Sequence, residues 1–152
     1  MVVEPIRNLY KKHKRFRPRD IQVNAAAGDS VGDLTFYEMV PSVLSTCNPD
    51  EAKAMLASGS VSLLGQYTVP VVTVADLYRK HLAPQPVSLL SIDTEGHDLP
   101  VLRGIDWKTM RPELVICEAN DPVTGTAITE FLATEGYQCL KALGCNKIFA
   151  PA

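Results

Sequence analysis

The sequence predicts an α/β fold built on a mainly parallel sheet. Two observations carry this. Short apolar runs alternate with amphipathic stretches along the 152 residues, the pattern of strand–helix units. The clearest run, Val87 to Ile92, is apolar apart from Ser88 and Ser91. It is too short for a helix and too apolar for a half-exposed strand, so it reads as a buried parallel strand. Asp93 ends it. Thr94-Glu95-Gly96-His97-Asp98 follows, and then Leu99, Val101 and Leu102 at helical spacing, closed by Gly104. In open parallel sheets, ligands sit beyond the carboxyl ends of strands. Asp93 and Glu95 are therefore where chemistry is expected.

The other elements follow in order. Met1-Val2-Val3-Glu4-Pro5 reads as the tail of a strand, and Ile6 to about His13 as a helix. The basic run Lys11, Lys12, His13, Lys14, Arg15, Arg17, Arg19 reads as a solvated helix end, where cations suit the dipole. Phe16 is its only aromatic, too little interleaving for a nucleic-acid surface. Ile21 to Asp29 is a second short strand that ends in small residues. Gly32 to Met39 alternates and suggests an antiparallel strand. Asn48-Pro49-Asp50-Glu51 is a helix start, with N-cap, proline and acids in the first turn; Gly59 stops that helix. Ser60 to Tyr67 is a loop or short strand. Val69 to Val74 is a strand whose Pro70 suits an edge, and Ala75 to Leu82 is a helix. After the central unit, Glu113 to Glu118 is a buried strand ending in an acid, Asp121-Pro122 turns the chain, and Thr126 to Glu135 is a helix closed by Gly136. Tyr137 to Leu140 and Lys147 to Phe149 form a closing antiparallel pair around Gly144-Cys145-Asn146.

Composition is that of an ordinary globular chain, 46% hydrophobic and 21% charged with net charge −2. This excludes a strong global field and a disordered composition. No apolar run approaches the ~18 residues of a membrane span. Cys47, Cys117, Cys139 and Cys145 form no CxxC pair and have no histidine at zinc-finger spacing, so they read as reduced thiols. The expectation is one domain, 1–152, in the cytoplasm, with no membrane and no nucleic-acid partner.

The stretch Ser91-Ile92-Asp93-Thr94-Glu95-Gly96-His97-Asp98-Leu99-Pro100-Val101-Leu102-Arg103-Gly104 resembles the Lys-Ile-Asp-Val-Glu-Gly-x-Glu-x-x-Val-Leu-x-Gly signature of the FkbM family of S-adenosylmethionine-dependent methyltransferases. Val3-Glu4-Pro5, Asn24 to Gly28, Val72 to Leu77 and Pro112 to Glu118 match further family segments in the same order. The resemblance implies a Rossmann-like class I methyltransferase sheet, mainly parallel with an antiparallel C-terminal strand. It is N-terminally truncated, because the family's glycine-rich loop belongs upstream of Glu4. It implies S-adenosylmethionine as cofactor and a hydroxyl on a sugar or secondary metabolite as acceptor. By resemblance, Glu4 would accept hydrogen bonds from the cofactor's ribose hydroxyls, Asn24, Ala25 and Ala26 would flank the adenine, and Asp93 and Glu95 would stand near the methyl donor or acceptor. The sequence departs from the signature at Ser91, where the family has lysine, and at Asp98, where it has glutamate.

Methyl transfer to a hydroxyl is an in-line displacement that needs positioning and a base within about 2.6–3.2 Å of the proton. Asp93 is the first candidate and Glu95 the second. Two alternatives stand beside it. The fold is a non-catalytic remnant or partner-binding module, or Asp93, Glu95 and Glu118 hold a divalent metal for hydrolysis. His97, on the helix after the turn, reads as a surface residue. A sheet that lacks its first strand exposes an apolar edge, and self-association is the expected consequence.

Overall fold

The computed structural model describes residues 1–119 and 122–152. Asp121 of the expected Asp121-Pro122 turn lies outside the described residues. The chain is mixed α/β. Its strands are β1 (Val2–Val3), β2 (Gln22–Val23), β3 (Ala26–Ala27), β4 (Gly32–Val40), β5 (Ser62–Val72), β6 (Leu89–Ile92), β7 (Leu114–Glu118), β8 (Tyr137–Leu143) and β9 (Asn146–Pro151). Its helices are α1 (Arg7–Phe16), α2 (Pro49–Ala57), α3 (Val74–His81), α4 (Asp98–Arg103) and α5 (Pro122–Thr134).

Among the described residues the strands fall into three sheets, ordered β1-β2, β3-β5-β4 and β6-β7-β9-β8. The single, mainly parallel sheet of the sequence reading is not what forms. Pairs β1/β2, β3/β5 and β6/β7 are parallel, while β4/β5, β7/β9 and β8/β9 are antiparallel. The physical reason is local. Among the described residues no strand lies between β1 and β6, so each ends its own sheet. The segments read as Ser60–Tyr67 and Val69–Val74 are one long strand, β5, which forms a ribbon with β4. Pro70 is tolerated inside it because β3 reaches only Val71 and Val72, which leaves one side of Pro70 without a neighbour. The antiparallel C-terminal strands hold as expected, joined by a tight turn at Gly144 (φ 59°).

Local chemistry explains the helix starts. The Asn48 side chain accepts from Asp50 N–H (3.0 Å) and Glu51 N–H (3.3 Å), capping α2 as its sequence promised. The Thr73 hydroxyl accepts from Asp76 N–H and caps α3. Helix α5 starts at Pro122, ahead of the expected Thr126, and Gly136 (φ 78°) follows its end.

Two apolar cores result. The larger packs α3, α4 and α5 on β6, β7 and β9, with Leu102, Val115, Ile128, Leu132 and Phe149 fully buried. The smaller gathers Ile6, Ala26, Phe36, Val69 and Val71. Strand β6 is the end strand of the larger core's sheet, and its Leu89 is 53% exposed. That corrects the reading of this run as wholly buried: Ile92 is buried, but the side of β6 away from β7 has no strand to cover it.

Gly104, at the end of α4, meets Gly28, just after β3, backbone against backbone. A Cβ on Gly104 would stand 2.1 Å from the Gly28 carbonyl oxygen, and one on Gly28 would stand 2.9 Å from Val71 Cγ1. Backbone on backbone cannot yield as a side chain can. Gly104→Ala is therefore expected to cost about 3 kcal/mol or more in urea unfolding. A loss under about 1 kcal/mol contradicts this contact.

Candidate functional site

The chain's acids meet at the turn between β6 and α4. Asp93 follows β6 directly. Glu95 takes a left-handed backbone (φ 48°), and Gly96 follows at φ 86°. A non-glycine residue in that region is strained, and surrounding contacts must hold it there. They come from far along the chain. Thr46 is fully buried and its hydroxyl donates to the Glu95 carbonyl oxygen at 2.7 Å, while Asn48 Nδ2 donates to Gly96 O at 3.3 Å. Thr46 is itself fixed by exchanging backbone hydrogen bonds with Tyr37 of β4. A side chain at 96 would only touch Asn48 and Glu51 at ordinary contact distance, so glycine serves there by φ rather than by space.

Asp98 holds the other side of the turn. It is 2% exposed, and its oxygens accept three hydrogen bonds: Thr94 N–H (3.1 Å), Thr94 O–H (2.6 Å) and the N–H of Glu118 on β7 (3.0 Å). Burial pushes its pKa upward, and the bonds from Thr94 and Glu118 pull against that. All three partners donate to it, which favours the charged form.

These anchors bring Asp93, Glu95 and Glu118 together. One carboxylate oxygen from each lies within 4.8 Å of the others. Burial first, then the charges of Glu118, Asp93, Glu51 and Asp98, raise Glu95 from 4.5 to about 7. Glu95 is thus a carboxylate that exchanges its proton near neutrality. His97 is half-buried rather than a surface residue, and burial lowers its pKa. Cys47 is pushed up to about 11 by burial, which keeps it a thiol and not a nucleophile.

A cavity of about 590 Å³ opens beside this turn, within the range of small-molecule sites. Glu4, Ala25, Ala26, Asp93 and Glu95 all line it. Four of them follow the carboxyl end of a parallel strand, Glu4 after β1, Ala25 after β2, and Asp93 and Glu95 after β6, while Ala26 opens β3. Glu4 Oε1 accepts the Ile6 N–H at 2.7 Å, and burial raises the Glu4 pKa. Asn24 is placed differently. Its amide donates to the carbonyls of Glu4 (2.8 Å) and Pro5 (3.0 Å), behind the cavity wall, so it positions Glu4 rather than lining the space. Glu118 also stands outside the cavity lining, although it belongs to the acid cluster.

This arrangement of an acid after each of two parallel strands, around one cavity, agrees with a comparison of the sequence with protein families. The methyltransferase FkbM domain model matches residues 1–139. The chain belongs to the FkbM methyltransferase family. No curated protein and no solved structure matches it. The geometry gives the FkbM-like signature a physical content: Gly96 supplies a left-handed backbone, Gly104 stands where a side chain would collide, and Asp98 ties the turn to β7. Thr46 and its bond to Glu95 were missed by sequence reasoning. A lone threonine ahead of a helix cap carries no signal for a contact across 49 residues.

Glu95 gives a pH dependence. The folded chain holds its proton to about pH 7, the unfolded chain only to about 4.5. The folded state therefore binds more protons in that window, and Glu95 removes stability as pH rises through it. Glu95→Gln removes the effect. At pH 8 the variant is expected to be more stable by about 1 kcal/mol after screening at this partly open site, ~2–4 °C in Tm. At pH 4.5 the two should coincide. Equal melting at pH 8 contradicts the assignment.

Proposed function

We propose that the cavity binds S-adenosylmethionine and that the chain supports O-methylation of a hydroxyl on a sugar or secondary metabolite. The observation that carries this is the pairing of Glu4 with the Asp93–Glu95 turn across one cavity at strand carboxyl ends. In the same reading residues 1–152 form one cytoplasmic domain. Its three sheets are parts of one Rossmann-like sheet, interrupted between β1 and β6 and between β2 and β3. No described helix is long and apolar enough to cross a membrane.

The residues present fit such a cofactor. Glu4 Oε2 has no partner among the described residues, and an ionised carboxylate is acceptor-only, which suits a pair of ribose hydroxyls. Ala25 and Ala26 are small and buried, so a flat ring can lie close to the backbone. Asn24 holds the Glu4 backbone in place from behind. When bound, the cofactor would supply a methyl group on a sulfonium, and the chain's own task is positioning and proton handling. Asp93, exposed at the cavity rim, orients the acceptor hydroxyl. Glu95, with a pKa near 7, is the better base at neutral pH, which reverses the order read from sequence. The carboxylate trio as a divalent-metal site remains the second reading, favoured by its 4.8 Å clustering alone.

Calorimetric titration of S-adenosylhomocysteine tests the first reading. Micromolar binding is expected, and Glu4→Ala should weaken it about tenfold or more, ~1.4 kcal/mol. Binding of Mg²⁺ with no binding of S-adenosylhomocysteine would favour the metal reading instead.

A further inference from the structure

Glu4 takes its place from the β4–β5 ribbon as well as from its own strand. Its Oε1 accepts the Ile6 N–H at 2.7 Å, so the position of Ile6 sets that of the carboxylate. Ile6 is 5% exposed and packs with Phe36 of β4 and with Val69 and Val71 of β5. Tyr67 of β5 leans on the same cluster, its ring 5.7 Å from that of Phe36. Two residues beyond Phe36 on β4 stands Glu38, and residues two apart on a strand share a face. The Tyr67 hydroxyl donates to Glu38 Oε2 at 2.8 Å. The ribbon thus brings a phenol and a second carboxylate toward the half-buried Glu4. Burial raises the Glu4 pKa most, and the Ile6 bond lowers it; among charged groups, His13 of α1 lowers it and Glu38 of β4 raises it. Tyr67 is pushed up by burial first, then by its bond to Glu38 and by the charges of Glu38, Glu4 and Cys47, so it stays a phenol and a donor.

We infer that Tyr67 and Glu38 are positioning residues for Glu4: the phenol holds the Glu38 carboxylate against the ribbon, and Glu4 is left ionised to accept from the cofactor's ribose hydroxyls. The ligand in this inference rests on the cofactor reading, and the geometry rests on the ribbon. A carboxylate close to another carboxylate drives one of the two to take a proton. A protonated Glu4 would turn one oxygen into an O–H donor and cease to be acceptor-only. The bond from Tyr67 takes up part of the Glu38 charge and fixes its direction, so Glu38 presses less on Glu4. Tyr67 in this way sets how far the pH can fall before the ribose contact is lost. The signs follow directly. Tyr67→Phe keeps the ring on Ile6 and Phe36 and removes only the donor. Glu38 then acts on Glu4 with its full charge, the Glu4 pKa rises, and binding fails from a higher pH downward. Glu38→Gln removes the charge, the Glu4 pKa falls, and binding persists to lower pH. In that background Tyr67→Phe has no charge to release. A Tyr67 that only packs would act equally at every pH and independently of Glu38.

The test is a carboxyl-carbon NMR titration of Glu4 in the 152-residue chain, in Tyr67→Phe, in Glu38→Gln and in the double variant, with each fold checked by its amide spectrum. Calorimetric titration of S-adenosylhomocysteine at pH 5 and pH 8 accompanies it. Expected is a Glu4 that titrates higher in Tyr67→Phe, lower in Glu38→Gln, and in the double variant as in Glu38→Gln. S-adenosylhomocysteine should bind Tyr67→Phe as it binds the native chain at pH 8, and about twofold or more weaker at pH 5. A Glu4 unmoved by Tyr67→Phe in a folded variant overturns the inference. So does an upward shift of the same size in the Glu38→Gln background, or a loss of affinity equal at the two pH values, either of which would leave Tyr67 a packing residue. Should Tyr67→Phe not fold, Glu38→Gln decides alone, and a Glu4 that does not titrate lower in it overturns the inference. Absence of binding to the native chain at both pH values would overturn the cofactor reading, and the Glu4 titrations would still decide whether the pair acts on Glu4.

Discussion

The arrangement of the site depends on one carboxylate, that of Asp98. It is buried, and three donors reach it: two from Thr94 at the end of β6 and one from Glu118 on β7. A buried charge is tolerated only when it is satisfied in this way, and removal of one donor would leave the others to carry the desolvation. The consequence is geometric. The turn after β6 is fastened to the end of β7, and Thr46 fastens its other side to β4. Asp93, Glu95 and Glu118 then face one another whether or not their charges favour it. Burial first, and then that repulsion, raises Glu95.

The same turn sits at the junction of two cores. The larger contains most of the apolar side chains, and the smaller leans on it through Gly28 and Gly104. Between them lies an open slot with an exposed leucine, Leu89, on a strand edge. Close-packed interiors leave few voids larger than a water molecule. The cavity is larger than such voids, and the acids that line it, Glu4, Asp93 and Glu95, follow the ends of β1 and β6.

Local signals in the sequence were sufficient for much of this. Asn48-Pro49 gave the start of α2, alternation gave β4, and Gly144 gave the final hairpin, because each is decided by a few adjacent residues. Val87–Ile92 gave β6 and the acids after it, and the FkbM resemblance assembled Glu4 with Asp93. What escaped was decided at long range. Pro70 suggested an edge, and whether it faced a neighbour depended on how far β3 extends. Asp98 read as one acid among several, since its bond to Glu118 requires β7 to lie beside β6. Asn24 read as a cavity residue by its place in a motif, yet its amide turns back to the carbonyls of Glu4 and Pro5. The separation of the sheets was illegible for the same reason: strand pairing is a property of what neighbours each strand finds.

The central claim is that Asp98 assembles the acid cluster and so sets the proton affinity of Glu95. The most direct measurement is a carboxyl-carbon NMR titration of Glu95 in the native chain and in Asp98→Asn, with the fold of each checked by its amide spectrum. The account places Glu95 near pH 7 in the native chain. In the variant, whose side chain presents an N–H2 donor where the Thr94 N–H and O–H need an acceptor and so loosens the turn, it places Glu95 back toward the ordinary glutamate range. The direct charge of Asp98 is the smallest of the causes acting on Glu95, so a large fall would report the loosened turn rather than the lost charge. A Glu95 that titrates as an ordinary glutamate in the native chain, or one unmoved by Asp98→Asn in a folded variant, would contradict the account.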